Sequence, residues 1–242
     1  MPTNNINTIV SVNEKTVSNK DNLQVIYEDN HLIVINKRVG DIVQGDKTGD
    51  KPLSDVVKEY LKEKYNKPGE VFLGVIHRLD RPTTGIVVFA RTSKALTRMN
   101  ELFKNRETQK TYWAVVKNRP VPDTATLVHF LKRNPKNNTS RAYPKEVPDS
   151  KMARLTYSVI KVLQNYTALE IDLHTGRHHQ IRSQLSAIGS PIKGDLKYGS
   201  DRSNPDGGIH LHARKLVLTH PVSKEVLVLT APTPDDSIWK SI

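Results

Sequence analysis

Between Val75 and Ala90 the chain reads VIHRLDRPTTGIVVFA. One carboxylate, Asp80, sits between Arg78 and Arg81, where an apolar run gives way to Pro-Thr-Thr-Gly. An opposite charge within ~4–6 Å lowers a carboxylate pKa and keeps it ionised. Arg78, two residues back, shares a face with Asp80 if the strand continues that far. A carboxylate held as an anion suits a nucleophile or a base; a general acid needs the opposite shift. The plainer explanation is an exposed aspartate, which is common at turns.

HTGRHHQIR, His174 to Arg182, is a second chemistry-bearing stretch. Gly176 permits a tight turn, and the helix that follows offers free backbone N–H groups. Arg177 stands at that entrance, placed to hold a phosphate. The spacing of His174 and His178 invites a metal, but Gly176 lies between them and no third ligand is evident. Taken alone, Arg182 reads as a solvated cation offset from the apolar stripe. In a third stretch, KTYWAVV, alternation puts Tyr112 and Trp113 on opposite faces of a strand. One packs inward while the other can line a cleft, and alternation does not say which.

These stretches need a scaffold. LQVIYEDNHLIVINK reads as two strands turning at Glu28-Asp29-Asn30. LSDVVKEYLKEKY is an amphipathic helix with Ser54 as its cap. FLGVIHRL is a strand running into the Asp80 turn, and GIVVFA is a strand buried on both faces. Ser93 caps a helix through Arg106 with Leu96, Met99, Leu102 and Phe103 inward. The Pro-, Asn- and Lys-rich segment Arg119 to Asp149 reads as an excursion or mobile insertion. Met152–Leu163 and Thr167–Leu173 form a hairpin about Gln164-Asn165. After HTGR comes a helix with Ile181, Leu185 and Ile188 inward, stopped at Gly189. Two last strands lie in GIHLHARKLVLTHPVSKEVLVLTAP. The predicted fold class is α+β: a large mixed, mostly antiparallel sheet with flanking helices and a central cleft.

The 242 residues carry 37 Lys and Arg against 25 Asp and Glu, a net charge of +12, which favours a polyanionic partner. There is no cysteine, which removes disulfides and thiolate chemistry together. No apolar run approaches the ~20 residues of a membrane span, so no membrane partner is expected. The polar N-terminus lacks an apolar signal core, which implies a cytoplasmic protein. Residues 1–20 read as a disordered polar tail and 21–242 as one catalytic domain. A monomer is expected.

Five segments in order resemble the RluA-type pseudouridine synthases. VIHRLDRPTTGIVVFA is similar to that family's signature and KTYWAVV to its lysine-x-tyrosine-x-alanine strand. HTGRHHQIR is similar to its Gly-Arg-x-His-Gln-Ile-Arg segment. IKGDLKYG and LHARKLVLTHP resemble its closing motifs. The likeness runs from about Leu23 to Trp239. It implies a pseudouridine synthase fold and isomerisation of uridine in RNA, ribosomal or transfer, without metal or cofactor. The base is detached from its sugar, turned, and rejoined through carbon. By the same resemblance Asp80 is the essential aspartate, Tyr112 packs on the target base, Arg182 pairs with Asp80, and Arg78 helps extrude the base. His77, Arg81, Thr84, Lys110, Arg177, His179 and Gln180 are then expected to hold RNA. Some members carry an N-terminal S4-type RNA-binding domain, and the stretch before Leu23 is too short for one. Thr84 stands where serine is frequent in the family and keeps the hydroxyl.

An aspartate and an arginine ~4 Å apart attract by about 4 kcal/mol at an effective dielectric of about 20, before desolvation. The anion could attack the sugar, attack the ring, or remove a sugar proton. Two other activities compete: a hydrolytic N-glycosidase, which needs an activated water and often a second carboxylate, and a non-catalytic RNA-binding or ribosome-assembly factor.

Overall fold

The computed structural model describes residues 17–46 and 48–242. Most of the expected polar tail, residues 1–16, lies outside the described residues. Ser18 is tied down: its N–H and hydroxyl both donate to the Asp41 carboxylate, at 2.8 and 2.7 Å.

One sheet dominates. Its strands are β1 (Val25–Glu28), β2 (Leu32–Lys37), β3 (Gly74–Val75), β4 (Thr84–Ala90), β5 (Gln109–Val116), β6 (Thr124–Asn134), β7 (Thr139–Tyr143), β8 (Lys151–Val162), β9 (Thr167–Leu173), β10 (Leu211–Thr219) and β11 (Val226–Thr230). Among the described residues three α-helices flank it: α1 (Leu53–Lys64), α2 (Ser93–Asn105) and α3 (Gln180–Ala187). The strand order is β1-β2-β4-β10-β5-β9-β8-β6-β7, with β11 on β10 and β3 on β4. Every pairing is antiparallel except β4 with β10. The α+β class and the mixed, mostly antiparallel sheet are as the sequence predicts.

The local devices explain the elements. At the first turn the Asp29 carboxylate accepts the N–H groups of His31 and Leu32, both at 2.7 Å. β4 is buried along its whole length, as its apolar run demands. The parallel contact places Thr84 and Gly85 against His212 and Ala213. Gly85 has φ +109°, and a Cβ there would lie 2.4 Å from the Ala213 carbonyl oxygen, so only glycine fits. The Thr-Thr-Gly turn thereby lets two strands approach closely just behind Asp80.

Several expectations are corrected. Pro52, not Ser54, occupies the α1 N-cap, and no side chain caps that end. Thr92, not Ser93, caps α2, its hydroxyl accepting Ala95 N–H at 3.2 Å. The strand expected through FLGVIHRL is reduced to β3, because the His77 ring takes over ladder duty. Its Nε2 accepts Val88 N–H at 3.1 Å. The Arg119–Asp149 segment is no loose insertion: β6 and β7 form a hairpin within it, and β6 pairs with β8 from Thr124 to Leu131. Its charged residues cluster at the far end of β6, where they obscure the alternation in TATLVHFL. Among the described residues no helix is long and apolar enough to cross a membrane.

Candidate active site

Asp80 lies in the loop between β3 and β4, whose turn is closed by Thr83 N–H donating to the Asp80 carbonyl at 3.0 Å. The side chain opens into a cavity of about 330 Å³, a size common for small-molecule sites. Tyr112, Arg78, Arg133, Leu173, Arg177 and His179 line it too.

The cation beside Asp80 is not one of its sequence neighbours. Arg81 turns away to Asp50 at 2.6 Å and to the Thr48 hydroxyl at 2.8 Å. Arg78 is exposed at the cavity wall and makes no ion pair among the described residues. Arg182 supplies the charge: its Nη1 donates to Asp80 Oδ2 at 3.0 Å. Arg182 is not the solvated cation its isolated sequence suggests, being only 4 % exposed. Its Nε and Nη2 make a bidentate pair with Asp195 at 2.6 and 2.8 Å. Burial opposes its charge, but Asp195 and Asp80 more than compensate and raise its pKa.

A second group faces the same oxygen. His179 Nε2 lies 3.4 Å from Asp80 Oδ2. His179 is the N-cap of α3 with φ 50°, a left-handed backbone that a non-glycine residue adopts at a cost of about 1–2 kcal/mol. Burial drives its pKa down to about 3 despite the neighbouring Asp80. The ring is therefore neutral at ordinary pH.

Tyr112, on β5, lines the cavity and packs at the seam between two core clusters. Burial first, and then Asp80, push its phenol pKa up, so it stays protonated. Trp113 takes the other face. Its indole N–H donates to Glu170 at 3.1 Å, and the Arg214 guanidinium sits 4.7 Å over its ring. The ambiguity left by strand alternation is thus resolved, with Tyr112 in the cleft.

The remaining expected residues divide. Arg177 reaches the cavity while its Nε donates to the Met152 carbonyl at 3.1 Å. Gln180 lines it too, but its amide is occupied. Oε1 accepts the Thr175 hydroxyl and Arg177 N–H, and Nε2 donates to the Arg154 carbonyl. Gln180 therefore shapes the turn. Thr84 is buried against His212, Oγ1 to Nδ1 at 2.8 Å. His77 stacks on Phe103 at 4.9 Å, and burial lowers its pKa to about 3. Lys110 sits over the Phe103 ring in an adjoining hollow with Arg106 and His174. Leu173 borders both that hollow and the Asp80 cavity. His77, Arg81, Thr84 and Lys110 thus stand outside the cavity that holds Asp80. His174 and His178 bond Thr156 and Ser140 respectively, and no metal-ligand cluster exists among the described residues.

Sequence reasoning passed over three supporting residues. Asp195 and Tyr198 belong to GDLKYG, whose motif is quotable but whose partners are distant in the chain. Lys37 is 1 % exposed, and its Nζ donates to the carbonyls of Arg38, Arg81 and Thr83 at 2.8, 3.1 and 2.8 Å. Three acceptors match the three N–H groups of an ammonium, although burial lowers the Lys37 pKa to about 7. Two of those carbonyls belong to the Asp80 loop. A lysine ending a strand gives no sign of this from sequence.

The model of a family described as RNA pseudouridylate synthase matches residues 31–187, well over half of the chain. The chain belongs to this family, in its RluA-type branch. A protein of Chloroflexus aurantiacus named as an uncharacterized RNA pseudouridine synthase is 39% identical over 173 residues, which are 69% of this chain and 52% of that protein. The ribosomal large subunit pseudouridine synthase D of Nitrosomonas europaea is 34% identical over 223 residues, 88% of this chain and 63% of its own. The chain thus spans between half and two thirds of the length of these two relatives. Human RNA pseudouridylate synthase domain containing 4 superposes with a TM-score of 0.75 at 25% identity, covering 89% of this chain and 90% of that one.

Proposed function

We propose that the protein is an RNA pseudouridine synthase that isomerises uridine in structured RNA, ribosomal RNA first among the candidates. One observation carries this reading: the Asp80–Arg182 pair lies in the wall of a cavity that Tyr112 also lines. A uridine extruded from its stack, at a cost of a few kcal/mol, enters that cavity. Stacking on the Tyr112 ring returns roughly 1–3 kcal/mol. Asp80 is the reacting carboxylate, and Arg182 is its counter-ion. The glycosidic C–N bond breaks, the base turns, and a C–C bond forms at a ring carbon, which gives up its proton while the freed ring nitrogen takes one, so that the product is an isomer. The reaction needs no cofactor, since nothing is oxidised and no atom is added. Arg78, Arg133 and Arg177 at the cavity wall take neighbouring phosphates, which agrees with the net charge of +12. Lys110 extends this track across Leu173. The protein works in the cytoplasm as a monomer. The names of relatives that mention the large ribosomal subunit support ribosomal RNA as the substrate.

The test is to incubate wild type and Asp80→Asn with RNA from cells lacking the gene and to map pseudouridine. Wild type should form the carbon-linked product. The variant should form none while binding RNA within about twofold of wild type, since only the reacting group is lost. Free uracil in place of pseudouridine would identify a hydrolase instead.

A further inference from the structure

The two groups that touch Asp80 are both held by one short segment, Gly194–Gly199. Asp195 grips Arg182. Tyr198, at the end of a single 3-10 turn (Leu196–Tyr198), reaches His179. The phenol lies 2.9 Å from His179 Nδ1 and accepts the backbone N–H of Ser140, on β7, at 2.7 Å. Tyr198 is 8 % exposed and His179 is 8 % exposed, so water does not intervene freely.

Donor counting then fixes every proton in the chain. A backbone N–H can only donate, so the Ser140 bond uses a lone pair of the phenol oxygen. The phenol has one proton, and His179 Nδ1 is its only acceptor among the described hydrogen bonds. Nδ1 is therefore a lone pair. In a neutral imidazole the other nitrogen then carries the hydrogen, and that nitrogen faces Asp80 Oδ2 at 3.4 Å. The opposite tautomer fails at both ends: it strands the phenolic proton and sets a nitrogen lone pair against a carboxylate oxygen.

We propose that Tyr198 is a positioning residue, whose phenolic proton fixes His179 as the Nε2–H tautomer and so sets the N–H edge of the ring, rather than a lone pair, beside Asp80. Asp80 Oδ2 accepts a hydrogen bond from Arg182 Nη1, and His179 Nε2, on the cap of the same helix, lies 3.4 Å from that oxygen. Both groups face one oxygen, Oδ2, and leave Oδ1 for the reacting nucleoside. The relay begins on the β6–β7 hairpin, at the Ser140 backbone N–H. The charged and titratable groups around the ring are Asp80, Arg182, His178 and Lys197. His178 stacks on it at 3.8 Å.

The test is a long-range 1H–15N correlation of the imidazoles in the free protein, with His179 assigned by its absence from His179→Asn. The Nε2–H tautomer is expected at neutral pH. An Nδ1–H tautomer, or an imidazolium, overturns the proposal without reference to any variant. In Tyr198→Phe the donor to Nδ1 is gone, so the ring should take its second proton at a higher pH than in wild type. An unchanged titration overturns the role of Tyr198. On RNA, kcat of Tyr198→Phe should fall about tenfold with KM within about twofold, as for one lost orienting hydrogen bond. An unchanged kcat removes the positioning role. This kinetic arm rests on Asp80 being the reacting carboxylate, whereas the spectra do not. If wild type forms no pseudouridine but shows the Nε2–H tautomer, the proposed activity fails and the relay stands.

Discussion

Arg182 divides its guanidinium between two carboxylates, and the division assigns different tasks to them. Asp195 is 1 % exposed and takes the bidentate edge, while Asp80, at the cavity, takes one N–H of Nη1. A planar fork clamped on one edge cannot rotate, so the Nη1 N–H groups point where Asp195 makes them point. Asp195→Asn keeps the volume and removes the charge. Breaking a buried pair by removing one partner costs about 3–5 kcal/mol. The variant should lose that order of stability in urea, and kcat should fall by on the order of a hundredfold from misplacement near the chemistry. Full stability in Asp195→Asn would show that the clamp is not needed. At this scale the sequence was informative about residue types and poor about pairs. Asp80 stands out between Arg78 and Arg81, yet neither contacts it. Its partner lies 102 positions away, a distance that no spacing rule bridges. The motif resemblance brought Arg182 and Asp80 together, and local reasoning left Arg182 as a surface cation.

Elements were legible where a local device creates them. Asp29 makes its own turn, β4 announces itself by an unbroken apolar run, and α2 by its stripe. They were misread where a remote group intervenes. His77 replaces a strand partner for Val88, so the expected strand stops early. β6 is stabilised by β8, which lies beyond a polar hairpin, so its alternation looked like loop sequence. The Gly85 contact belongs to this scale too. Two of the glycines with positive φ have different surroundings: Gly85 abuts the Ala213 backbone, whereas Gly189 has nothing within 4 Å. Gly189→Ala should cost only backbone strain, about 1 kcal/mol. Gly85→Ala must also part β4 from β10, and should cost at least ~3 kcal/mol by the strain and overpacking together. Equal denaturation midpoints for the two variants would contradict the close approach.

The whole molecule couples its protonation to its fold through histidines locked away in neutral form. Burial lowers His77 and His179 from 6.5 to about 3 and His212 to about 4. Each is committed: His77 accepts Val88 N–H, His179 bonds the Tyr198 hydroxyl, and His212 bridges Thr84 to the Ala231 carbonyl. In the unfolded chain each titrates near its ordinary value of about 6.5. Below that pH the unfolded state binds protons that the native state refuses, so stability falls as pH falls. The stabilisation is fully present above about 6.5 and is lost progressively toward the native values of about 3 to 4. At pH ~5 each histidine has withdrawn about 2 kcal/mol, from 1.36 kcal/mol per unit. Three such groups rival the 5–15 kcal/mol of a typical domain. The protein should therefore unfold in mild acid, before most carboxylates are protonated. Urea midpoints measured from pH 7.5 down to about 5 should decline steadily, with a slope approaching the uptake of three protons on unfolding. A flat profile across that range would mean that these rings already carry charge in the native state. The orienting contacts of His77, His179 and His212 would then have to be redrawn.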